Sequence, residues 1–132
     1  MSESTGLRKA IRINALFTTI CVAFLMFGAR WLAPHLGLHG VGWLYALATG
    51  LALFVIQLVG ILRSDRIRQW EIRTIIGADI AWVLGSLFLV VNYFEQLSTV
   101  GLLLIDLVAV AVLAFAVMQY RGLKAYESSL AV

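Results

Sequence analysis

The sequence predicts an all-α fold: an integral membrane four-helix up-down bundle with both termini in the cytoplasm. Three observations lead there. Apolar residues make up 62% of the 132 positions and charged residues only 13%, where a soluble domain carries about 25% charged residues. Four apolar runs, 13–32, 42–62, 74–91 and 99–118, each approach the ~20 residues that cross a bilayer as a helix. The basic residues are also sorted to one side of those runs.

The runs are continuous, whereas a membrane-spanning strand alternates over ~10 residues. Inside lipid a helix satisfies its own backbone, so each run is read as a helix. Arg8, Lys9 and Arg12 precede the first. Arg63, Arg66, Arg68 and Arg73 lie between the second and third, and Arg121 and Lys124 follow the fourth. Only Arg30 falls on the other side. Basic residues concentrate in cytoplasmic loops, which fixes the expected direction. The first run is longer than a signal-peptide core and lacks a small-residue cleavage site, so it is expected to be retained. Trp31, Trp43, Tyr45 and Tyr93 mark the outer interface and Trp70, Tyr120 and Tyr126 the inner one, where amphipathic rings prefer to sit. The loops are short, which makes sequential helices antiparallel neighbours. One domain, residues 1–132, accounts for the chain.

Against this background the stretch GADIAWVLGS (77–86) stands out. A carboxylate within a membrane span is expensive, so Asp79 should turn inward and find partners. Counting depth along the helices places Asn14, Thr18 and Gln57 near it, with Trp82 one turn away: a polar cluster in the cytoplasmic half. Ile75, Asp79, Trp82 and Ser86 share one face. Thr74, Ala78, Ala81 and Gly85 form a small-residue stripe suited to close helix packing. A second cluster, in the outer half, is expected from Arg30, Thr49, Ser86 and Asp106, with Arg30 neutralising Asp106. Arg63, Arg66, Arg68 and Arg73 are expected to contact anionic lipid headgroups.

Other chemistries find little support. The lone Cys21 forms no internal disulfide and reads as a small hydrophobe. His35 and His39, spaced by four in WLAPHLGLHG, are weak metal candidates, since Pro34 and Gly37 oppose a firm helix there. No metal or other cofactor is expected. The basic residues flank apolar segments without forming a stripe, so no nucleic acid is expected either. No phosphate-cradling glycine loop, zincin helix or nucleophile elbow occurs.

In general layout the chain resembles many small bacterial inner-membrane proteins, which implies a multi-pass protein of the plasma membrane. The leading expectation is a non-enzymatic accessory, structural or lipid-interacting subunit. It would act as a homo-oligomer or with another membrane protein, through the small stripe of the third helix or through Ala46 and Gly50. Two alternatives stand beside it. One is a transporter or channel subunit using Asp79, with Asp106, as an ion or proton site. The other is a binder of an apolar ligand between helices near Trp82.

Overall fold

A computed structural model describes residues 2–130. The described residues form five α-helices and one 3-10 turn: α1 (Ser2–Phe27), α2 (Ala29–His35), α3 (Gly42–Arg63), α4 (Gln69–Tyr93), the turn Phe94–Gln96, and α5 (Thr99–Leu130). Among the described residues there is no strand. Four helical stretches, Thr5–Phe27, Gly42–Arg63, Gln69–Gln96 and Thr99–Leu130, are long and apolar enough to cross a membrane.

The first span differs from its expected bounds, because the helix breaks at Gly28. That residue leaves helical geometry at φ −105°, ψ 10°. A Cβ added there would lie 2.8 Å from the Phe24 carbonyl oxygen, closer than side-chain-bearing residues allow. The chain then re-enters a helix through Pro34 to His35, so the loop before α3 begins later than hydropathy indicates. Both α4 and α5 outrun their apolar segments, and the reason is packing. Ile72 and Leu123, beyond the expected spans, join Leu7, Ile11, Leu58, Ile61 and Ile75 in one buried cluster. Gly122 permits this, since a Cβ there would sit 3.0 Å from the Leu7 Cα.

That cluster gathers the N-terminal parts of α1 and α4 and the C-terminal parts of α3 and α5 around the 64–68 turn. A second cluster lies at the opposite end, where Leu25, Ala29, Leu32, Ala33, Leu44 and Ala48 meet. There Ser98 ties α2 to α5. Its backbone N–H donates to the His35 carbonyl at 3.0 Å, and its Oγ accepts from the Gly101 N–H at 3.1 Å, as a helix N-cap does. His35 Nδ1 shares a 2.7 Å hydrogen bond with the same Oγ.

Closely packed pairs of long helices are α1 with α3, α1 with α5, and α4 with α5. Although consecutive, α3 and α4 are not among the closely packed pairs; they come together only in the shared cluster at the 64–68 end, which holds Leu58, Ile61, Ile72 and Ile75. The expectation that these sequential helices pack as neighbours is therefore not met: α3 packs on α1, and α4 on α5. The stripe Thr74, Ala78, Ala81 and Gly85 is exposed, so no helix of the same chain uses it. At the end of the turn, Arg68 pairs with Glu71 at 3.7 Å.

Glycine substitutions separate close packing from open surface. At Gly101 a Cβ would strike the His35 carbonyl, whereas Gly85 has nothing within 4 Å. Gly101→Ala should destabilise by about 1–3 kcal/mol, read as a lower unfolding midpoint in detergent. Gly85→Ala should hold or raise that midpoint, since alanine is the better helix former by about 1 kcal/mol.

Candidate functional site

The polar residues of the basic half converge on Asp79, which is 5% exposed. Two amides meet it. Asn14 on α1 donates from Nδ2 to Asp79 Oδ2 at 3.1 Å, and Gln119 on α5 donates from Nε2 to the same oxygen at 2.9 Å. Asn14 Nδ2 also donates to Gln119 Oε1 at 2.8 Å. Thr18 completes the chain, donating from Oγ1 to Asn14 Oδ1 at 3.0 Å. Four side chains from three helices thus form one connected network, with Asn14 at its centre. Gln119 is fully buried.

The local sequence explains the placement. On α1, Asn14 and Thr18 are one turn apart and follow Leu7 and Ile11 along the buried face. On α4, Ile72, Ile75 and Ile76 carry the same stripe up to Asp79. On α5, Val112, Phe115 and Ala116 lead to Gln119. Each polar group occupies a position that would otherwise belong to the apolar core, so each needs a partner there.

Gln57, placed by depth alongside Asp79, is half-buried and makes no hydrogen bond among the described residues. Gln119 takes the role instead. Its position just past the apolar run hides it from a hydropathy reading. The spacing 112, 115, 116, 119, 123 on one helix face is the signal that finds it.

Asp79 also borders empty space. A cleft of about 340 Å³ is lined by Phe17, Thr18, Ala46, Gly50, Asp79 and Trp82, among others. It lies where α3 and α4 separate, between the exposed Ala46 and Gly50 on one wall and Ala78 on the other. Both donors to Asp79 converge on Oδ2. Oδ1 has no donor, yet no sealed side-chain oxygen or nitrogen among the described residues lacks a partner. Oδ1 is therefore not sealed off, in a residue that lines the cleft. Neither of the two ion pairs among the described residues involves Asp79. Trp82 is half-buried and stands in the same wall one turn along.

At the end away from the 64–68 turn, the structure shows no contact that joins Arg30, Thr49, Ser86 and Asp106, the four residues expected to form the second cluster. Ser86 Oγ donates back to the Trp82 carbonyl at 2.8 Å, and Thr49 Oγ1 to the Tyr45 carbonyl at 2.9 Å. Such hydroxyls satisfy themselves on their own helix. Arg30 and Asp106 are both exposed and form no ion pair with each other.

At the basic end the arginines are partly engaged. Arg73 bonds Glu127 at 2.6 Å, and Arg68 meets Glu71. Arg8 is used structurally: it donates to the carbonyls of Leu62 at 3.1 Å and Ser64 at 2.8 Å. His39 is exposed, and among the described residues no three His, Cys, Asp or Glu side chains gather as a metal site requires. No protein-family model, curated protein or solved structure matches this chain.

Loss of the central amide should be felt across the network. Asn14→Leu removes donors from Asp79 and Gln119 and the acceptor of Thr18. It should destabilise by about 1–3 kcal/mol, measured by thermal unfolding in detergent. Gln57→Leu should stay within about 0.5 kcal/mol of the parent.

Proposed function

We propose that the protein binds a small, largely apolar molecule bearing a cationic group, in the cleft between α3 and α4. The observation that carries this reading is Asp79 in the wall of a 340 Å³ cleft, with Oδ1 free of any donor and no basic residue paired to the carboxylate among the described residues. Ligand sites are mostly apolar concavities, typically 300–1,000 Å³, with a few convergent polar groups. A negative charge in such a place needs a counter-charge, and the ligand supplies it. Trp82 offers an aromatic face, to which cations are attracted. No catalytic step is assigned.

The same reading places the chain in a bacterial plasma membrane as an up-down bundle, with both termini and the 64–68 turn in the cytoplasm. Nine of the ten basic residues lie at that end. The shared cluster of α1 and α4 starts with α3 and α5 ends supports the alternation of direction. Contact with anionic headgroups falls first to Arg63 and Arg66, because Arg68 and Arg73 already have acidic partners.

A second reading, a structural or accessory subunit, is favoured by one observation. Asp79 bonds α1 and α5 to α4, so its acid also serves as a tie between helices.

One experiment separates the two. The purified protein is heated with benzyltrimethylammonium or with its uncharged carbon isostere, neopentylbenzene. The cation should raise the unfolding midpoint in a concentration-dependent way; the isostere should not. Asp79→Asn should abolish that shift and Trp82→Ala should weaken it. If no shift occurs in the parent while Asp79→Asn lowers its midpoint by several degrees, the carboxylate is a structural tie and the ligand reading fails.

A further inference from the structure

We infer that the outer half of the molecule is an interface between two copies of this chain, with Arg30 of each paired to Asp106 of the other. Asp106 lies on the outward face of α5, between the exposed Leu103, Leu107 and Val110. Everything else on that face from Leu103 to Val117 suits lipid. A lone carboxylate there does not: within a bilayer, ionisable side chains turn to a protein interior, a water-filled cavity or a partner. Asp106 faces none of these in the isolated chain, and it has no hydrogen bond or ion pair among the described residues.

The complementary charge is at hand. Arg30 is the only basic residue at this end of the molecule. It too is exposed and unpaired among the described residues. Both charges belong to the same end of the molecule: Leu104, two residues from Asp106, packs on the cluster that contains Ala29, the neighbour of Arg30. Arg30 is flanked by Phe27, 92% exposed, and Trp31, 52% exposed, and aromatic and arginine side chains are what interface centres are enriched in. A two-fold interface is self-complementary: if residue 30 of one copy meets residue 106 of the other, the reverse contact follows. Two ion pairs then close together, and both charges at each are neutralised. The partner is a second copy because the chain presents both halves of the pair and joins neither internally.

Charge exchange between chains tests this. The parent protein in lipid nanodiscs should have the mass of a dimer. Arg30→Asp alone and Asp106→Arg alone should each be monomeric, since each places like charges opposite one another. Co-expressed with different tags, these two variants should co-purify as a mixed dimer, because both cross-chain pairs are then restored. An intramolecular pair would not be restored by mixing. Asp106→Asn, which keeps the shape, should raise the dimer dissociation constant at least about tenfold, and it decides the matter if the charge-reversed variants do not reach the membrane. A monomeric parent, dimers undisturbed by Asp106→Asn, or single variants that remain dimeric alone would each overturn the assignment.

Discussion

A carboxylate in the middle of an apolar bundle imposes a condition on everything packed around it: donors must be brought to it from other helices. Asn14 and Gln119 meet that condition from α1 and α5. Once they do, the relative depth and rotation of α1, α4 and α5 are set together, because an amide displaced by one helical position along its helix points elsewhere. Membrane helices gain little from the hydrophobic effect between themselves, so a hydrogen-bonded network and close packing are what fix their register.

The helix left outside the network is α3. It contributes no group to Asp79 and packs closely on α1 alone among the long helices. Its attachment is strongest at the basic end, and there the backbone accounting is specific. The Ser64 N–H bonds the carbonyls of Gly60 and Ile61, and Arg8 takes those of Leu62 and Ser64. These are acceptors that the end of a helix leaves open, and a cation also suits the negative end of the helix dipole. The cleft follows from this asymmetry. One end of α3 is pinned beside α4, and nothing polar draws the two helices together further along.

Hydropathy makes the four long helices legible in the sequence because lipid and core demand the same residue types. That same indifference blurs their ends and their faces. Leu123 and Ile72 extend helices past the apolar runs for reasons of packing, which a span count does not weigh. Asp79 announces itself as a carboxylate among Ile, Leu and Val, and depth alone suggests Asn14 and Thr18. Depth is a poor guide to rotation, however, and so it suggests Gln57 where the network uses Gln119. The expected outer cluster did not form: Thr49 and Ser86 bond carbonyls of their own helices, and Arg30 and Asp106 make no pair with each other within the chain among the described residues. The small stripe of α4 illustrates the opposite ambiguity, since Ala and Gly serve a tight helix contact and an open surface equally well.

Asn14 is separated from Asp79 by 65 residues and from Gln119 by 105. The chain is made from its N-terminus, so α1 enters the bilayer before either of those partners exists. Its only companion at that stage is Thr18, one turn away on the same helix, which already donates to the Asn14 side-chain oxygen. The amide N–H groups have to wait. A nascent first hairpin therefore carries an unmet polar group at its centre, and only the arrival of α5 completes the set. The order of synthesis makes the last helix the one that locks the first.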